Sequence, residues 1–166
     1  MRIVFVCTGN TCRSPFAEAV ARRERPDLKV SSAGVASLGG AQCPPAAVAV
    51  ARQLGLDLGS HRARSLDASM VAEADVLVAM TPEQSAAIEA RGGVGKVRLL
   101  SDPEIRDPFG CGEAEYRLCY ADIERAVKAL LGQLDNESLP TQGGEGVPPA
   151  TRFERTAGTA TELYQQ

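Results

Sequence analysis

The chain reads as an α/β protein: one domain on a four-stranded parallel sheet with helices on both faces, a Rossmann-like three-layer sandwich. Three observations predict this. Short apolar runs such as Ile3-Val4-Phe5-Val6 and Val76-Leu77-Val78-Ala79 lack polar alternation, as parallel strands covered on both faces require. Segments with helical spacing and helix start signals separate them, so the sheet is joined by right-handed crossovers. With 166 residues and 44% hydrophobic composition, the chain can bury one core of ordinary size and is too short for two.

The first strand is expected over Arg2 to Cys7. Its helix runs from Pro15 toward Glu24 and must stop before Pro26, which can neither donate to the helix nor let its predecessor remain helical. Leu28 to Ser32 forms the second strand, ending in Ala33-Gly34. After a Gly- and Pro-rich loop, Pro45 opens a helix that Gly55 closes. Asp67 is a suitable N-cap for a short helix through Ala74. Asp75 to Met80 is the third strand. Thr81-Pro82-Glu83-Gln84 then supplies a capping threonine, proline at the first helical position and glutamine where a capping box places it, for a helix ending at Gly92-Gly93. Lys96 to Leu100 is the fourth strand. Beyond the loop from Ser101 to Gly112, apolar residues from Tyr116 to Leu134 recur at steps of one, three and four, the pattern of a long amphipathic helix. The domain is therefore expected to span residues 1–134. From Asp135 the composition turns to Gly, Pro, Thr, Glu and Gln, and residues 135–166 are expected to be a disordered tail.

Composition excludes several classes of function. A net charge of -3 with scattered Lys and Arg gives no basic stripe for nucleic acid or a membrane surface. No apolar run is long enough to span a bilayer, and the N-terminus enters the first strand without a cleavable signal pattern, so a cytoplasmic location is expected. Five cysteines without tandem C-x2-C spacing, and a single histidine, make a poor ligand inventory; they read as reduced thiols, and neither metal nor cofactor is expected.

The chemistry concentrates in Cys7-Thr8-Gly9-Asn10-Thr11-Cys12-Arg13-Ser14-Pro15. An apolar strand, a tight turn and a helix start place Cys7 at the mouth of a helix N-terminus. Unpaired N–H groups, the dipole behind them and the charge of Arg13 would hold an oxyanion there and favour a thiolate. The planar guanidinium of Arg13 matches two phosphate oxygens. A curled loop also brings Cys12 near Cys7; Cys12 is then either a small buried apolar residue or a redox partner, and the residues leave both readings open. Ligands bind outside the carboxyl ends of strands in open sheets, so Cys7, Ser32 and the loop carrying Asp107 converge on one crevice.

The motif V-C-T-G-N-T-C-R-S-P after the first strand, with D-P-F-G before the last helix, resembles the low-molecular-weight protein tyrosine phosphatase family. The resemblance extends to Ser32-Ala33-Gly34 and to Ser60-His61-Arg62-Ala63-Arg64. It implies a phosphatase acting on phosphorylated protein substrates. Cys7 would attack phosphorus. The amides of Thr8, Gly9, Asn10, Thr11, Cys12, Arg13 and Ser14, with the Arg13 fork, would hold the equatorial oxygens. Asp107 would protonate the leaving atom and then activate the water that hydrolyses a phosphocysteine. Asn10 is a candidate for positive φ in the tight loop. Ser14 would hydrogen-bond the Cys7 thiolate, or serve as a plain N-cap. Ser32 and His61 resemble the family's supporting network, with a strand-end serine and a core histidine as the bland alternatives. Phe109 would line the crevice or plug its own loop.

Thr11 stands where tyrosine phosphatases usually carry a bulkier aliphatic residue, and in this it is similar to the bacterial protein-arginine-phosphatase branch. A smaller, hydroxylated side chain suits a guanidinium, whereas an aliphatic one suits an aryl leaving group. The resemblance thus favours phosphoarginine over phosphotyrosine. Two readings from other classes rank below it. Thioredoxin-coupled arsenate reduction needs a cysteine relay, which Met80 to Gln84 lacks. A non-catalytic phosphate-binding module would be expected to have lost the nucleophile or the acid.

Overall fold

The computed structural model describes residues 1–138. Four strands, β1 (Arg2–Cys7), β2 (Lys29–Gly34), β3 (Val76–Ala79) and β4 (Val97–Leu99), form one parallel sheet in the order β2-β1-β3-β4. Along β1 the side chains alternate between two buried faces, which is why the run shows no polar residue. Ile3, Phe5 and Cys7 face a core shared with the helices α1 (Arg13–Glu24), α2 (Pro45–Gln53) and α5 (Glu113–Ser138). Val4 and Val6 face a smaller core with Val71 of α3 (Ala68–Glu73) and Ile88 of α4 (Pro82–Ile88). The result is the three-layer sandwich expected from the sequence.

The predicted punctuation operates with small shifts. Asp67 caps α3 by accepting from Met70 N at 2.8 Å, which draws its carboxyl below the usual range. Gly55, at φ 77°, closes α2 with paired bonds from Gly55 N to Arg52 O and Leu56 N to Ala51 O, the Schellman arrangement. Thr81 caps α4, but Gln84 reaches one residue further back than a capping box requires and accepts from Met80 N. That helix ends at Ile88 and continues as a π-helical turn, Glu89–Gly93.

The boundaries of α1 and α5 also differ from expectation. Helix α1 begins at Arg13, two residues before Pro15, because Pro is tolerated anywhere in a first turn where N–H groups lack intrahelical partners. Ser14 is therefore inside the helix and is not its N-cap. Helix α5 runs past Leu134 to Ser138, into the first residues of the expected tail. Asp135 and Glu137 there pair with Arg25 and Arg98, charged anchoring that an apolar periodicity does not register. The rest of the expected tail, 139–166, lies outside the described residues. Among those described, no helix is long and apolar enough to cross a membrane.

Candidate active site

The strand order reverses between β1 and β3: β1 leads outward to β2, and the chain returns to place β3 on the other side. The loop leaving β1 lies at that switch point, the position where parallel sheets open a crevice at their carboxyl ends. It forms one wall of a cavity of about 210 Å³, with Asp107 and Phe109 on the other side. Phe109 is 66% exposed, so it is a wall of the crevice and does not plug its own loop.

The loop holds its shape through the side-chain amide and the carbonyl of Asn10. Asn10 is fully buried at φ 57°, the left-handed conformation expected of it. Its Oδ1 accepts from Arg64 N at 3.0 Å, and its carbonyl accepts from His61 Nε2 at 2.8 Å, so that ring nitrogen carries the proton. Its Nδ2 donates at 2.9 Å to both Ser14 Oγ and Ser32 Oγ. Each serine hydroxyl, having accepted, is free to donate onward. Ser32 Oγ donates to Glu18 Oε2 at 2.5 Å, and Ser14 Oγ lies 3.0 Å from Cys7 Sγ. Ser14 Oγ also reaches Ala33 O at 3.4 Å, so its one proton can go to the carbonyl or to the Cys7 sulfur, and a thiolate at Cys7, which can only accept, would draw it. Gly34 is required beside this loop, because a Cβ there would meet Thr8 O at 2.6 Å and Asn10 N at 3.0 Å.

Cys12 is the N-cap of α1 but makes no side-chain capping bond, and no acidic residue stands in the first turn. The positive end of the helix dipole meets the crevice with no carboxylate of the helix's own first turn to offset it. Arg13 is buried at 3% exposure. Its Nη1 donates to Ile105 O at 3.0 Å and its Nη2 to Asp107 Oδ2 at 2.8 Å, while Nε is buried without a partner among the described residues. The other Asp107 oxygen accepts from Phe109 N at 3.1 Å and shapes the turn.

Of the residues singled out from sequence, Cys7, Thr8, Gly9, Thr11, Cys12, Arg13, Asp107 and Phe109 line the crevice. Asn10, Ser14, Ser32 and His61 stand behind it as the network just described. Several others escaped sequence reasoning. Gln84 Nε2 donates to Thr8 Oγ1 at 3.2 Å, tying α4 to the loop across the switch point. Tyr120 Oη donates to Cys12 O at 3.1 Å and Tyr116 Oη lies 3.2 Å from Cys12 Sγ. Two phenols on the buried face of α5 were the available signal, since each hydroxyl there needs a partner. Glu18 is one turn beyond Ser14 on the same helix face, a spacing that placed it near the network. All five cysteines are free thiols. Burial pushes Cys12 upward in pKa and Cys119 and Cys43 up to about 12, so these three are uncharged at neutral pH. Among the described residues, no group of three or more His, Cys, Asp or Glu is placed to hold a metal ion.

Residues 2–139 match the family model described as low molecular weight phosphotyrosine protein phosphatase. The probable low molecular weight protein-tyrosine-phosphatase EpsP of Ralstonia solanacearum is 37% identical over 137 residues, covering 80% of this chain and 94% of the relative. Among solved structures, the YwlE arginine phosphatase from Geobacillus stearothermophilus superimposes with a TM-score of 0.78 at 32% identity, over 87% of this chain and 99% of that one. The tyrosine phosphatase Wzb from Escherichia coli K30, in complex with sulphate, gives 0.74 at 32% identity, over 80% and 97%.

Proposed function

The chain belongs to the low molecular weight phosphotyrosine protein phosphatase family, and from that membership we propose that it hydrolyses phosphorylated side chains through a phosphocysteine on Cys7, with phosphoarginine its preferred substrate. It is a hydrolase of phosphorylated proteins; the residue roles and the leaving group are the substance of the proposal. The observation that carries it is the arrangement of Arg13, a buried guanidinium with an unpartnered Nε, between the Cys7 loop and Asp107.

In the first step the Cys7 thiolate attacks phosphorus in line, forming the S–P bond as the P–N or P–O bond to the side chain breaks. Arg13 and the loop amides take up the charge that spreads over the equatorial oxygens. Asp107 delivers its proton to the departing nitrogen or oxygen. In the second step the Asp107 carboxylate takes a proton from water, the new oxygen bonds to phosphorus and the S–P bond breaks, releasing inorganic phosphate. Ser14, whose Oγ lies 3.0 Å from Cys7 Sγ, donates to the returning thiolate and stabilises it.

Thr11 supports the phosphoarginine preference. It lines the crevice with a side chain that can accept from or donate to a guanidinium. Phosphotyrosine is the second reading, favoured by Phe109, whose exposed ring on the crevice wall could lie against an aryl leaving group. Parallel turnover of matched phosphoarginine and phosphotyrosine peptides tests the choice. Faster hydrolysis of phosphoarginine supports the first reading, and inertness toward it leaves phosphotyrosine as the substrate. Arsenate reduction is disfavoured by Cys119, a buried and protonated thiol. The free thiols suit a reducing compartment, and a cytoplasmic location is part of this reading.

A further inference from the structure

On the far side of Asp107 from the phosphate loop lies a second, larger cleft of about 600 Å³, between the 101–112 loop and the outer face of α5. Asp107 lines both cavities, so the cleft adjoins the crevice. Pro108 and Leu118 give it apolar lining, and Leu118 is left 71% exposed with no role in the core. Its lining also carries four carboxylates, Glu104, Asp107, Glu115 and Asp122, against one guanidinium, Arg106.

The acids of α5 make the bias more specific. Glu113, Asp122, Glu124, Asp135 and Glu137 each pair with an arginine or lysine. Glu115 has no partner among the described residues, nor does Glu104 on the facing loop. Glu115, Leu118 and Asp122 are spaced by three and four, so an aliphatic side chain and two carboxylates share one helix face beside the crevice.

We propose that this cleft seats the polypeptide that flanks the phosphorylated residue, and that it selects a segment combining an aliphatic side chain with lysine or arginine. The assignment rests on the phosphatase reading, since a substrate chain is brought there by the phosphorylated side chain entering the crevice. The shared wall at Asp107 gives the path, and, with Asp107 and Asp122 paired to Arg13 and Arg125, the unpaired Glu104 and Glu115 give the sign of the partner. Charges at such a rim act on encounter and on discrimination between partners, while the apolar surface adds burial.

The test compares kcat/KM for phosphotyrosine and phosphoarginine peptides with Lys-Leu or Glu-Ser flanks, alongside a small aryl phosphate that has no flank. The Glu104→Lys/Glu115→Lys and Leu118→Glu variants alter only exposed positions outside the catalytic machinery. Wild type is expected to favour the Lys-Leu flank by about tenfold. The double variant should abolish or invert that preference, Leu118→Glu should weaken it, and both should hydrolyse the aryl phosphate at the wild-type rate. Hydrolysis of the aryl phosphate with no discrimination between flanks overturns the cleft assignment and leaves the phosphatase reading standing. Self-association in sedimentation that Leu118→Glu abolishes assigns the face to a second copy and likewise overturns it.

Discussion

Arg13 Nη2 donates to Asp107 Oδ2 at 2.8 Å across the crevice, joining a guanidinium that is 3% exposed to a carboxylate that is 46% exposed. The pair joins the proposed clamp to the proposed acid, so a phosphoryl group entering the crevice competes with Asp107 for the same donor. The two groups therefore have opposite effects on ground-state anion binding.

Replacing Asp107 with asparagine separates those effects. Loss of the proton donor is predicted to lower kcat by about 10²–10⁴ for substrates with poor leaving groups. Loss of the competing charge is predicted to tighten inhibition by inorganic phosphate. Steady-state kinetics with phosphate as inhibitor reads both, and an unchanged kcat would remove Asp107 from the role of acid.

Asn10 is the joint on which the loop depends. Asn10→Ala leaves the Arg64 amide without its acceptor and both serine hydroxyls without the donor that directs them. Thermal or denaturant unfolding is expected to show a loss of about 1–3 kcal/mol for each buried group left unsatisfied. Ser14→Ala should be milder in stability but slow in the second step, so that pre-steady-state traces show a larger burst over a slower steady rate. A variant without any change in burst would place Ser14 outside thiolate stabilisation.

On the proposed assignment of the leaving-group preference to Thr11, Thr11→Ile is expected to shift the ratio of kcat/KM toward phosphotyrosine over phosphoarginine by about tenfold or more. Matched peptides provide the measurement. An unaltered ratio would assign the preference to another wall of the crevice.

Far from the crevice, Asp67 gives a pH prediction. Its native pKa lies below the ordinary 3.8 because Met70 N donates to the carboxylate. The unfolded chain holds the proton more tightly, so the cap contributes stability above the unfolded pKa and loses it as pH falls through the lower native value. Asp67→Ala should therefore be less stable than wild type at pH 7, with the gap closing below about pH 4. Urea midpoints at the two pH values test it; a gap independent of pH would mean that the charge plays no part.

Much of this architecture could be read from the chain because each strand carries its burial in its own residues and each helix its own start signal. The loop was legible because Cys7 to Ser14 are contiguous and carry nucleophile, turn residues and guanidinium in one motif, although most of its hydrogen bonds reach other elements. Contacts made across the sheet were harder to see. Gln84 looked like a local cap, yet it spends its amide on Thr8, on the opposite side of the switch point. Tyr116 and Tyr120 counted as apolar periodicity, and nothing local shows that their hydroxyls meet Cys12. The Arg22 to Arg25 cluster carries no local sign of its distant partners. In the fold it laces α1 to β2 through Val30 O and to α5 through Glu124 and Asp135, because long side chains find partners that sequence proximity does not reveal.

The central claim is covalent chemistry at Cys7, and rapid denaturing quench of the wild-type enzyme during turnover tests it most directly. The account predicts phosphate bound to the peptide containing Cys7, approaching one per enzyme in the burst, and neither label nor turnover in Cys7→Ala. Sustained turnover by Cys7→Ala, or phosphate release with no phosphorylated cysteine at any quench time, would contradict it.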